Sequence, residues 1–343
     1  VRGDVFRSAF YAITLLLLLI GCSAQENGPE LVSISGPTMG TQFHIKYFLP
    51  ASGSISTKKI QSQVEAQLAN INQLMSTYLP DSELSRFNRA ATNEWFPVSK
   101  ETAAVIDLAL KISTQTQGAF DVTVASLVDL WGFGPTKRAP EPPSAELIAA
   151  ELNKVGYGSL QVDRAASALL KTAELTLDLS AIAKGYAVDR IADVLNQAGI
   201  VSFMVEVGGE IRAKGMKPEQ KPWRIAIESP VSIQRAVQRV IELTDIAVAT
   251  SGDYRNYFEK DGRRYSHTID PVTGYPITHA LASVTVLAET SARADALATA
   301  LMVMGPERAL VFANSHKLPV LLIVKQASGF TEVASDAFAG WIN

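Results

Sequence analysis

The runs that read as strands in the second half of this chain follow one another without helices spaced regularly between them. That spacing excludes most of the folds open to 343 residues. Residues 203–207, 223–227, 237–243, 246–250 and 281–287 are short, rich in aliphatic side chains and bounded by polar or glycine-containing segments. A doubly wound sheet or a barrel of parallel strands needs a helix after nearly every strand. The pattern therefore predicts an α+β class, with mixed, largely antiparallel sheets and helices packed on them.

Helical periodicity is confined to a few places. Ile60, Val64, Leu68, Ile71 and Met75 recur at a spacing of three to four and predict one helix face. Ala103, Ile106, Ala109, Leu110 and Ser113 predict a second helix, stopped near Gly118. Residues 43–48 alternate as a strand, 139–144 with three prolines read as a loop, and 175–179 read as a strand running into a helix over 184–195. Ser291 is a good N-cap for a helix over 292–304, closed by Gly305-Pro306.

With 47% hydrophobic and 19% charged residues the chain can bury a sizeable core and is not disordered. Lys plus Arg at 31 against Asp plus Glu at 34 argues against a nucleic-acid partner, which asks for a basic excess. One cysteine excludes a disulfide framework and cysteine-cluster metal sites. The four histidines, His44, His267, His279 and His316, show no zinc-type spacing.

The N-terminus reads as an address. Arg2 and Arg7 precede an apolar stretch over 10–20, shorter than the ~20 residues a spanning helix needs. Leu19-Ile20-Gly21-Cys22 then resembles a bacterial lipoprotein box, and an ordinary signal peptide is the alternative. The expected organisation is a lipoprotein signal peptide over 1–21, a tether over 22–30 beginning at lipid-modified Cys22, and one domain over 31–343. Such a protein is anchored by lipid in the bacterial cell envelope and faces the periplasm.

Seven segments carry chemistry. Gly36-Pro37-Thr38-Met39-Gly40-Thr41 is a glycine-bounded turn before a strand, where backbone amides can approach a ligand. Tyr78 can stack on an aromatic ligand or simply pack at a helix end. Asp121, after Ala119-Phe120, can accept hydrogen bonds from a heterocycle or cap the following turn. In Asp178-Leu179-Ser180-Ala181-Ile182-Ala183-Lys184, a helix start with free amides and an early lysine suits phosphate, though without P-loop spacing. Gly208-Gly209 after 205–207 permits close backbone approach or marks a bulge. His267 sits beside Ser266 and Thr268, before the turn over 270–274. Asp295 and Thr299, four apart, share one helix face; together they are hard oxygen donors suited to Mg²⁺, while an aspartate near a helix start also suits the helix dipole.

In this order the segments resemble the ApbE family of FAD:protein FMN transferases, over nearly the whole stretch from Thr38 to about Val324. The most specific matches are 178–186, 250–256, 266–274 and 294–299. The resemblance implies an ApbE-like fold with an FAD cleft between subdomains. It implies FAD contacts from Met39, Tyr78, Ala119, Phe120, Asp121, Asp178, Lys184 and Ile269. It also implies Mg²⁺ held by the backbone oxygen of Ala181 and the side chains of Asp295 and Thr299, and a role in activity for His267. The implied reaction moves FMN from FAD to a threonine hydroxyl of a target protein, releasing AMP; membrane redox subunits of the Nqr or Rnf type are the expected targets. Because the nucleophile belongs to the partner, no Ser-His-Asp or Cys-His signature is required. Two rivals keep the flavin: an FAD pyrophosphatase giving FMN and AMP, and a non-catalytic flavin-binding lipoprotein. A solute-binding lipoprotein would need the regular strand–helix alternation that is missing.

Overall fold

The computed structural model describes residues 29–50, 56–136, 138–139, 141–230, 237–253 and 256–341. The expected signal peptide, Cys22 and all but the end of the tether lie outside the described residues. No helix among the described residues is long and apolar enough to cross a membrane.

One eight-stranded sheet organises the molecule. In spatial order its strands are Leu31–Thr38, Thr41–Phe48, Phe203–Val207, Glu210–Lys214, Ile246–Gly252, Leu281–Ala288, Val320–Gln326 and Gly329–Ala334, each antiparallel to its neighbours. Antiparallel pairs need no crossover helix, which is why the strand runs crowd together in the sequence. Leu281–Ala288 is buried at every position because both faces of the sheet are covered.

Helices cover one face. The helix Thr57–Met75 buries the predicted stripe of Ile60, Val64, Leu68, Ile71 and Met75, and Lys100–Gln115 buries Ala103, Ile106, Ala109, Ile112 and Ser113. Ser291–Met304 is buried almost all round, between the sheet and the helix Ala183–Gln197. Its alanines and glycine neighbours permit that central position. The other face is covered by a separate hairpin, Trp223–Glu228 with Val237–Leu243, whose Ile225, Ile227, Ile241 and Leu243 pack on Val248, Leu287, Leu321 and Ile323. A third, smaller core joins Leu127, Trp131, Ile148 and Ile269. Its aromatic stack runs from Phe133 to Phe258 (5.7 Å) and on to Tyr265 (5.0 Å), fastening the hairpin Tyr257–Lys260 with Arg263–Ser266.

Three local expectations are corrected. Residues 175–179 form no strand: Thr176 makes a single bridge to Val124, and the Asn88 side chain both donates to Leu177 O (3.0 Å) and accepts from Leu177 N (2.8 Å). A side-chain amide thus fills the place of a neighbouring strand. The N-cap of Ser291–Met304 is Thr290, whose hydroxyl accepts from Arg293 N, and the Ser291 hydroxyl is buried without a partner among the described residues. Gly36, Pro37 and Thr38 belong to the first strand, so the turn narrows to Met39-Gly40. Both have positive φ (48° and 71°), the geometry of a tight hairpin turn matched to strand twist.

Candidate active site

A cleft of about 1130 Å³ opens between the helix-covered sheet and the small aromatic core. It exceeds the ~300–1,000 Å³ of sites for drug-sized ligands, as an extended dinucleotide requires. Tyr78, Ala119, Phe120, Asp121, Asp178, Ala181, Lys184, His267, Ile269, Asp295 and Thr299 all line it. Met39 does not. Its side chain packs against the main core.

The charged centre is built by a close helix crossing. A Cβ on Gly185 would meet the carbonyl oxygen of Ser291 at 2.3 Å, so only glycine lets the helices Ala183–Gln197 and Ser291–Met304 approach this far. The approach brings Asp295 Oδ2 to 3.0 Å from Gly185 N, which donates to it. In an uninterrupted helix that amide would bond Ala181 O; here the Ala181 carbonyl accepts no backbone hydrogen bond among the described residues. Lys184 Nζ donates to Ser180 O (3.1 Å) and lies 3.5 Å from Glu210 Oε1 and 3.7 Å from Asp295 Oδ2. Burial works against the ammonium, but Asp295 and Glu210 together outweigh it and hold Lys184 well above its ordinary range. Glu210 is pushed up to about 8 by burial, in spite of Lys184, and burial also raises Asp295. Among the described residues Glu210 Oε2 is buried with no partner.

This geometry fits Mg²⁺. No three His, Cys, Asp or Glu side chains gather as a metal cluster among the described residues. The oxygen donors that line this part of the cleft instead are the freed Ala181 carbonyl, the Asp295 carboxylate and the Thr299 hydroxyl, itself 3.2 Å from Ser251 Oγ. One carboxylate with neutral oxygens suits a hard cation that keeps waters and takes the rest of its shell from substrate phosphate.

Around this centre the cleft is shaped by turns. Asp121 lines the cleft and also holds a turn: Oδ1 accepts from Thr123 N and Oγ1, and Oδ2 from Tyr157 N. Asp178 Oδ1 accepts from Ser180 N and so shapes the turn before the lysine helix. Tyr78 is 63% exposed, free to cover a ligand. His267 follows the Arg263–Ser266 strand and meets Phe133 edge-on. Its Nδ1 is 3.0 Å from Asn256 O. A carbonyl can only accept, so Nδ1 carries the proton in the neutral ring and Nε2 keeps its lone pair. Burial lowers the His267 pKa and favours that neutral form.

The family model for the ApbE family matches residues 39–322. The chain belongs to the ApbE family. It is 48% identical over 338 residues to an FAD:protein FMN transferase of Vibrio cholerae, covering 98% of this chain and 99% of that one. It is 38% identical over 345 residues to the Escherichia coli K12 protein of the same name, covering 97% and 98%. The solved structure of flavin transferase ApbE from Vibrio cholerae matches with a TM-score of 0.85, over 92% of this chain and 100% of that chain. The apo form of Pseudomonas stutzeri flavinyl transferase ApbE matches with a TM-score of 0.85 at 41% identity, over 92% and 97%. The expected mixed, antiparallel ApbE-like fold is the one observed.

Sequence reasoning missed four residues of the site region. Glu210 follows a double glycine, and nothing in its strand marks it as facing a lysine 26 positions upstream. Asp189 ties the two crossing helices together, accepting from Ser291 N, Ala292 N and Arg212. His44 and Glu206, cross-strand partners 2.6 Å apart, line the cleft as well. Alternation in the strand Thr41–Phe48 could have shown that His44 points away from the main core.

Proposed function

We propose that this chain transfers the FMN half of FAD to a threonine hydroxyl of a target protein, with release of AMP. The observation that carries the reading is the convergence of every implied FAD, metal and activity residue except Met39 on one cleft. The threonine Oγ attacks the phosphorus of the FMN phosphate; that P–O bond forms as the pyrophosphate P–O bond to AMP breaks. Nε2 of His267 takes the hydroxyl proton. Lys184 sets a permanent positive charge beside the pyrophosphate oxygens. Mg²⁺ held by Ala181 O, Asp295 and Thr299 would neutralise charge on the bridging and leaving oxygens. Tyr78, Phe120 and Ile269 enclose the flavin or adenine ring, and Asp121 and Asp178 hold the turns that carry those contacts.

The test is incubation with FAD, Mg²⁺ and a target domain bearing an Asp-Gly-x-Thr acceptor, followed by intact mass and AMP assay. An FMN mass on the target supports the transferase. AMP without a mass change points to a pyrophosphatase, and bound FAD with neither product points to a flavin carrier. The expected natural targets are membrane redox subunits of the Nqr or Rnf type. The signal over 1–21 and Cys22 support a lipid-anchored enzyme facing the periplasm. Replacing Cys22 with Ser should release it from the membrane fraction of a bacterial host.

A further inference from the structure

The cleft has two halves, and the proposed flavin contacts use one of them. Across the Gly208-Gly209 turn lies a second half with a different construction. Its floor is a single row of directly opposed residues on four neighbouring strands: His44 faces Glu206, Glu206 faces Ile211, and Ile211 faces Val248. The polar end of that row is fixed, because Glu206 holds His44 Nδ1 through Oε2 and the Gly209 amide through Oε1. Its wall is the strand Trp223–Glu228, from which the four consecutive residues 225–228 all line the cleft. Successive residues of a strand point to opposite faces. Four in a row can line one cleft only if the strand presents its edge. Among the described residues this strand pairs with Val237–Leu243 alone, so that edge has no strand beside it.

We propose that an extended, threonine-bearing segment of the acceptor protein docks here by adding a strand along residues 225–228. This rests on the transferase reading above. An edge of four residues recognises the N–H and C=O groups that a polypeptide repeats along its length, whereas the isoalloxazine of FAD offers a single short set, C2=O, N3–H and C4=O. It is also continuous with the reactive centre: the two halves meet at Gly208-Gly209, and a Cβ on Gly208 would stand 3.2 Å from Lys184 Cδ. A segment along the edge therefore lies in the same cleft as the lysine and the metal positions. An open edge on a free surface invites self-association; sunk into the wall of a cleft, it admits one segment and shields itself from a second sheet. Recognition through the backbone tolerates varied side chains, so one enzyme can modify acceptors that share little beyond the threonine and its immediate neighbours.

The test uses the full chain in detergent with FAD and Mg²⁺. An acceptor domain whose threonine is replaced by valine is added at saturation, and amide hydrogen exchange is followed. Exchange at 223–228 should slow at least ~10-fold on adding the acceptor and not with FAD alone. In parallel, acceptor peptides carrying single backbone N-methyl groups should show a raised KM at alternate positions and a near-normal KM between them. Protection restricted to the Tyr78 and His267 rim, or no alternation in the N-methyl series, overturns strand addition even where FMN transfer proceeds. An unmodified acceptor that gains no FMN overturns the transferase reading itself, and the docking proposal falls with it.

Discussion

Two ionic clusters bridge the same three elements about one helical turn apart, and they differ in one respect. In the first, Asp189 on Ala183–Gln197 accepts from Arg212 Nη1 at 2.6 Å and from the amides of Ser291 (3.0 Å) and Ala292 (2.9 Å). Both carboxylate oxygens are used. In the second, one turn earlier on that helix and two residues earlier on the strand, Lys184 meets Glu210 and Asp295. There, among the described residues, Glu210 keeps an oxygen without a partner and the Ala181 carbonyl has given up its amide. A buried charge with every bond made holds elements together; one with bonds left open is waiting for a ligand. The first cluster reads as the brace that positions the second.

The sharpest way to break the comparison is Asp295→Asn. The amide oxygen can still accept from Gly185 N, so the helix crossing survives while the anionic metal ligand is lost. FMN transfer, read by intact mass of the acceptor, should fall by at least ~10³-fold, the order seen when a key electrostatic group at a transition state is removed. Removal of Mg²⁺ by a chelator should match it. Equal transfer by the variant and the parent would remove Asp295 from the metal site.

Asp189→Ala attacks the brace instead. It leaves Arg212 and two helix-start amides without their acceptor, and breaking such a buried pair costs ~3–5 kcal/mol. Urea unfolding should show that loss, while transfer per folded molecule at low temperature stays within a few-fold of the parent. A variant of unchanged stability would show that the brace carries no load.

The open cluster also sets a pH dependence. Glu210 is raised from 4.5 to about 8 by burial. Between those values the folded state keeps a proton that the unfolded chain releases, so stability falls as pH rises. The contribution is complete below about 4.5 and is lost through about 8. Asp295, raised by the same burial, acts in the same direction, and Lys184, held above its ordinary range, stays charged throughout. Metal-free protein should therefore show a urea midpoint that declines across this window, and Glu210→Gln should flatten the decline. Addition of Mg²⁺ should flatten it too, by favouring the ionised Asp295.

Much of this was legible before any coordinates. The helix stripes of 60–75 and 103–113 follow from spacing alone, and a separation of four puts Asp295 and Thr299 on one helix face. What escaped depended on partners far along the chain. Residues 175–179 carry a strand's alternation, yet the group that pairs with Leu177 is the side chain of Asn88. Strand periodicity puts Glu210 and Arg212 on one face, but whether that face meets solvent, an arginine's aspartate or a buried lysine depends on the helix crossing at Gly185. Met39 shows the converse: its turn is plain in the sequence, and the direction of its side chain is not.

The smallest predicted effect refines what an open bond means. Thr299 can give a metal its oxygen lone pair only if its proton is directed elsewhere, and Ser251 Oγ at 3.2 Å is placed to take it. Ser251→Ala removes that acceptor without touching a metal ligand. Groups of this kind change metal affinity by ~10-fold or more, so the Mg²⁺ concentration for half-maximal transfer should rise by about that factor with little change in urea midpoint. A neighbouring hydroxyl pair, Thr250 with Thr285 of the adjacent strand at 2.8 Å, supplies the contrast. Thr285→Val should lower stability and leave the Mg²⁺ dependence alone, because its hydroxyl bonds a strand neighbour and not a ligand of the metal. If both variants shift the Mg²⁺ dependence equally, the Ser251 hydroxyl has no special tie to Thr299, and the open cluster ends at Asp295.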